Sequence, residues 1–173
     1  MTSTEAILAL IAARRARRPA RSNEALDGLF RRLAACSSLE ADRTEERIWD
    51  LWMHHPHRAA AAALDAATHD IAARRYDIAE TRLTALLRRA PAFAEAWHKR
   101  ATLYYLLGRD AECLHDIERT LELEPRHFGA MLHFAELLLG AGAAVDARFT
   151  FHAVLLVHPH AERARQALSA DKA

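Results

Sequence analysis

Lysine is nearly absent from this chain: it occurs only at Lys99 and Lys172, and arginine carries the rest of the positive charge. Glycine and proline are scarce, five of each in 173 residues, which leaves little material for the hairpins of a sandwich or barrel. Two cysteines, Cys36 and Cys113, lie far apart and fit neither a metal knuckle nor a disulfide framework. A reducing compartment is the simpler expectation. Neither sign of charge is in excess, with Lys+Arg 24 against Asp+Glu 23, which argues against a dedicated nucleic-acid domain. Long apolar runs are missing too. Residues 6–13 are apolar, but they fall far short of a bilayer span. No positive residue precedes them and arginines follow, the reverse of a secretory signal. What remains is alanine and arginine with few β-branched residues, and that composition predicts an all-α fold.

The scarce prolines are evenly spaced. Pro91, Pro125 and Pro159 are 34 residues apart, and Pro56 lies 35 before Pro91. Each follows an apolar helical stretch, which a proline ring cannot continue because it lacks the N–H and clashes with the preceding turn. A second break, at Gly108 and again at Gly142, is also 34 apart. Two helices of about a dozen residues, a tight turn and a proline-marked turn make a helix-turn-helix repeat.

Residues 94–127 read AEAWHKRATLYYLLGRDAECLHDIERTLELEPRH, and here the chain resembles the tetratricopeptide repeat through Trp97, Ala101, Tyr104, Gly108 and Pro125. Trp97 and Tyr104 are expected as large anchors on the inward stripe of the first helix. Ala101 is small where paired helices approach, and Cys113 stands as a small apolar substitute for the usual alanine. Residues 60–93 keep Tyr76, Ala79, Leu83 and Pro91, with Ala63 in the tryptophan's place and Arg74 in the glycine's. Residues 128–161 keep Ala135, Gly142, Ala147, Phe151 and Pro159, with Met131 in the tryptophan's place. The expected fold is thus an α–α superhelix with three repeats at 60–93, 94–127 and 128–161. Capping helices are expected on both sides. The same run also resembles small bacterial proteins of this family; some of those are exported. Without a leader the expected compartment is the cytoplasm, with the periplasm the alternative if the true start differs.

Upstream, residues 22–59 read as a degenerate helix pair, its second helix opened by a capping box of Ser37 and Glu40. Trp49 and Trp52 are expected to pack on the first repeat as an end cap, the alternative being an exposed partner-binding patch. Residues 162–173 read as a closing helix and tail. Residues 1–21 hold the one basic cluster, Arg14, Arg15, Arg17, Arg18 and Arg21. They form either an exposed or frayed amphipathic helix or a segment that touches anionic lipid or nucleic acid.

Two histidine clusters, His54/His55/His57 and His158/His160, flank prolines at equivalent repeat boundaries, so the repeat explains their likeness without a metal. No HExxH motif, cysteine pair or matched carboxylate completes a site, and no phosphate loop or nucleophile elbow is present. The expectation is a protein that is not an enzyme, with no cofactor and no metal.

The family resemblance implies a scaffold or adaptor that holds a partner's peptide or helix in the concave groove. The family's groove positions fall on Asp65, Thr68, Glu95, His98, Lys99, Thr102, Tyr105, Leu132, His133 and Glu136. Chaperone-tail receptors of the family grip a terminal carboxylate with a Lys/Asn/Arg set. Leu64, Leu132 and Glu136 contradict that clamp. Tyr105, His98 and Lys99 suggest instead a partly apolar peptide with some acidic character, against the plainer reading of a solvated face. Tethering through the arginine cluster is the alternative function.

Overall fold

The computed structural model describes residues 2–14 and 23–170. Among them are ten α-helices and no strand: α1 (Ser3–Ala13), α2 (Glu24–Ala35), α3 (Ser38–Met53), α4 (Arg58–Ala72), α5 (Tyr76–Arg89), α6 (Ala94–Leu106), α7 (Asp110–Leu123), α8 (Phe128–Gly140), α9 (Ala144–Val157) and α10 (Glu162–Ala170). The packed pairs α4/α5, α6/α7 and α8/α9 fall where the three repeats are expected, and α10 closes the array against α9.

The turn inside each repeat is the same device three times. Arg74 (φ 59°), Gly108 (φ 66°) and Gly142 (φ 74°) all adopt the left-handed conformation that ends a helix. The next amide then donates back across the turn: Arg75 to Asp70 at 2.8 Å, Arg109 to Tyr104 at 2.9 Å, Ala143 to Leu138 at 2.8 Å. Alanine serves close approach: Ala67, Ala79, Ala101, Ala135 and Ala147 are all 0% exposed, and so is Cys113 in the same slot. Trp97 departs from its expected role as an inward anchor. It is half-buried, donates to the Pro91 carbonyl at 2.9 Å and lies under the Arg100 and Arg119 guanidiniums. Met131, in the same repeat position, is fully buried.

The first helices α4, α6 and α8 form one layer, in which α6 touches both neighbours. No comparable contact joins α5 to α7 or α7 to α9, so the first-helix layer is the tighter, concave side. Salt bridges tie the layers together. Arg100 grips Asp116 with two bonds of 2.7 and 2.9 Å. Arg109 reaches Glu80 of the preceding repeat at 3.0 Å.

The first three helices do not simply precede this array; they strap it. α1 is neither exposed nor frayed. It opens with a capping box of Thr2 and Glu5 and lies against the outer helices α7 and α9, with Ile7 0% and Ile11 1% exposed. An apolar stripe too short to span a bilayer finds a groove between two outer helices. The chain then reaches the concave side, where α2 and α3 pack as a pair. Asn23 caps α2 by accepting from the Leu26 amide at 3.1 Å. Ser37 begins α3, but the expected capping box does not form: its hydroxyl turns to the Glu40 carboxylate at 3.4 Å and leaves the amides alone.

Candidate functional site on the concave face

The tryptophans of α3 correct the end-cap expectation. They lie on the second and third repeats, not the first. Trp52 stacks on His127 at 4.1 Å and 9°, and Trp49 meets Phe128 edge-on at 5.2 Å. The reason is at Gly129. A Cβ there would stand 2.6 Å from the Trp49 ring, so only glycine leaves room for the indole on this turn of α8. Phe30 of α2 joins the same cluster, and the α2 carboxylate Asp27 bonds Arg126 at 2.6 Å. His158 pairs with Glu45 of α3 at 2.8 Å, and His160 faces Cys36 at 4.0 Å.

The strap therefore fills one end of the groove, and the anticipated groove residues divide into two sets. Glu95 and His98 are buried under Trp49, at 1% and 4% exposure. Lys99 is half-buried beside them, with its ammonium 3.1 Å from the Glu95 carboxylate and 5.5 Å from the centre of the Trp49 ring. This removes the acidic-peptide argument, because Lys99 already neutralises a buried acid. The other set faces outward. Thr102, Tyr105, Leu132, His133, Glu136 and Thr68 are half-buried, and Asp65 is exposed. Thr68 and Thr102 donate to the carbonyls of Leu64 and His98 on their own helices. Glu136 pairs with Arg163 of α10.

Four rings connect the two sets. Trp49 lies near-parallel to His98 (5.7 Å, 27°), His98 to His133 (5.2 Å, 24°), and His133 to Tyr105 (5.5 Å, 13°). The ladder begins in the strap and ends in the open groove.

Glu95, His98 and His127 place one ligand atom each within 4.8 Å of one another, all buried, in the manner of a metal site. The sequence reading missed this cluster. Repeat register is the signal that would have shown it, since His127 stands where Phe93 and Ala161 stand, and His98 where Leu64 and Leu132 stand. Proton accounting decides its chemistry. His127 Nδ1 accepts from the Ala130 amide at 3.2 Å, so Nε2 carries the proton and donates it to Glu95 at 2.8 Å. A histidine bound to metal through Nε2 would need its other nitrogen to donate instead. Burial holds His98 neutral, its pKa lowered to about 3 despite the pull of Glu95. Burial alone would raise the Glu95 carboxyl, but His98 and His127 more than offset it and hold it well below the usual range. The cluster is a charge-balanced hydrogen-bond network with Lys99 as its counter-ion, and its geometry is not that of a ligand set.

The histidines singled out in the sequence lie elsewhere. His54 is exposed, His55 tilts over Phe93 at 4.7 Å, and the His57 amide donates to His55 Nδ1 at 3.1 Å. Arg14 bonds the Ile11 carbonyl at the end of α1. Arg15, Arg17, Arg18 and Arg21 lie outside the described residues. Among the described residues no helix is long and apolar enough to cross a membrane.

Known proteins add a short match. No family model matches the chain. A TPR repeat-containing protein of Rhizobium etli is 44% identical over 52 residues, 30% of this chain and 26% of that relative. The match spans about a quarter of the relative's length.

Proposed function

We propose that this chain, an all-helical array similar over 52 residues to a TPR repeat-containing protein, is a non-catalytic scaffold that binds a partner protein on the open part of its concave face. The observation that carries this reading is the free end of the ring ladder. Tyr105 and His133 lie stacked and half-buried at the mouth, flanked by Leu132 and Thr102 and by the Glu136–Arg163 pair. Such a surface suits an apolar or aromatic side chain of a bound peptide or helix, which would continue the stack and leave its polar backbone to the rim. Asp65 and Thr68 on α4 extend the same face.

The non-catalytic reading is supported by the two thiols. Burial, helped by Asp116, pushes the Cys113 pKa up to about 12, which removes it as a nucleophile at neutral pH. Cys36 caps the C-terminal end of α2, where its thiol lies 3.6 Å from the Leu33 carbonyl.

The test is quantitative affinity capture from the native cell with intact protein and with Tyr105→Ala/His133→Ala. Loss of a specific partner with the helical melt unchanged is the expected result. Equal capture by both proteins would sink the proposal. Lys99→Glu belongs to neither arm, since it breaks a buried pair as well as changing the groove.

A further inference from the structure

In the second repeat, one flank of the first helix is covered by the repeat before it. Ala96 and Leu103 of α6 are fully buried in a cluster with Ala79, Leu83 and Leu87 of α5. Arg100 reaches the Thr84 hydroxyl of α5 at 3.3 Å. At the end of the flank, Glu80 of α5 accepts from the Tyr104 hydroxyl and from Arg109, each at 3.0 Å. The third repeat is covered alike, with Ala130 and Phe134, the register mates of Ala96 and Arg100, both 0% exposed.

Thirty-four residues earlier the same flank stands open. The mates of Ala96, Arg100 and Leu103 are Ala62, Ala66 and His69 on α4, and Ala62 and His69 are exposed. The mates of Tyr104 and Arg109 are Asp70 and Arg75. The cause is the strap: α2 and α3 lean across the concave side of the later repeats and do not stack before α4 as a further repeat would. What remains is an open cavity of about 530 Å³ lined by Ala66, His69, Asp70, Arg75 and Arg82, with Asp65 and Thr68 on its rim. On its floor the buried Asp70 carboxylate takes Arg75 at 2.7 Å and Arg82 at 2.8 Å. One acid serves two half-exposed guanidiniums. Arg109, the mate of Arg75, has two carboxylates to itself, Glu80 and Glu112.

We propose that this open flank docks an amphipathic helix of a partner protein, with small apolar residues on Ala62 and Ala66 and a carboxylate on Arg75 and Arg82. The arrangement is the one by which α5 already packs on α6, one repeat on. It is a second surface, at the end of the array and next to the concave groove, whose edge residues Asp65 and Thr68 it shares. Charge sets the polarity of the docked helix. Arg74, Arg75 and Arg82 gather at one end of the flank and Asp65 lies towards the other, so the partner's acid faces the arginines. A second copy of this chain fits less well. Antiparallel pairing of two α4 helices about Ala66 would set Arg58 of one copy against Arg74 of the other.

The probe is a synthetic peptide of residues 76–90, the helix that covers the equivalent flank, titrated into the full chain and read by amide shifts. Saturable changes are expected at Ala62, Ala66 and His69. Glu80→Gln in the peptide should weaken binding about tenfold. Arg75→Glu in the protein should weaken the unaltered peptide and restore a Glu80→Lys peptide. Ala62→Glu, at an exposed position, should abolish binding while leaving the helical melt unchanged. Absence of saturable binding overturns the proposal, as does indifference to the charge swap. Shifts confined to Leu103 and Tyr104 would mean exchange with the chain's own α5 and overturn it too. Sedimentation as a dimer that Ala62→Glu dissolves would assign the flank to a second copy instead.

Discussion

Arg74 occupies a left-handed turn that glycine occupies in the other two repeats. A side chain there costs about 1 kcal/mol relative to glycine, and nothing within the turn repays it. Arg74→Gly should therefore raise the unfolding free energy by about 0.5–1 kcal/mol in urea denaturation, an unusual case of glycine stabilising a helical protein. His98 makes a second residue-scale prediction. Its pKa is about 3 when folded and 6.5 by default, so below pH 6.5 the unfolded chain binds a proton that the folded chain refuses. Stability should fall as pH drops from 6.5, at up to about 1.4 kcal/mol per pH unit. His133, lowered by burial, acts in the same direction, and Glu95 adds to the loss below its ordinary value of 4.5. His98→Leu, which installs the residue found at Leu64 and Leu132, should flatten the slope of urea midpoint against pH. An unchanged slope would show that His98 takes up its proton in the folded chain as readily as in the unfolded one. The His127 tautomer sets a third expectation: a zinc titration of the metal-free chain should show no stoichiometric uptake that His127→Gln removes.

At the scale of the element, α3 and α8 are locked by one missing carbon. Gly129→Ala should expel the Trp49 ring, shift tryptophan fluorescence to the red and cost about 1–3 kcal/mol. In a Trp49→Ala background the same change should cost less, since only the His98 ring, 3.1 Å from the added carbon, would still have to give. A double-mutant cycle without coupling would mean that α3 does not occupy the groove. This contact also marks where sequence reasoning stops. The repeat helices and their turns were legible because proline and left-handed residues act on the backbone within a few positions of themselves. The partner of Trp49 was not, because it lies 80 residues away at Gly129 and no local pattern encodes that distance. The concave positions were legible as a set, from repeat register. That Glu95, His98 and Lys99 are already occupied depends on where the strap falls, and so was not.

Across the whole molecule, the array is held from both sides by α1 on one and by α2 and α3 on the other. Ile7 and Ile11 bury fully against the outer layer, while Trp49 and Trp52 bury against the inner one. Ile7→Ala or Ile11→Ala should each cost about 2–5 kcal/mol. The loss should speed amide exchange in α7 and α9, against which α1 packs, more than in α4 and α5. Uniform acceleration along the chain would show that the fold melts as one unit and that α1 gives no local protection.

The strap also sets an order of events during synthesis. The repeats can fold as they emerge, each on the one before it, because their contacts are local. The strap cannot. α1 ends at Ala13, while the helices it rests on begin at Asp110 and Ala144. At a ribosomal pace of about 5–20 residues per second, Ile7, Ile11 and the two tryptophans wait roughly ten seconds without a surface to cover them. The nascent chain thus carries these apolar side chains uncovered until the third repeat has left the tunnel. For that interval the concave face, later half closed, is open along its whole length.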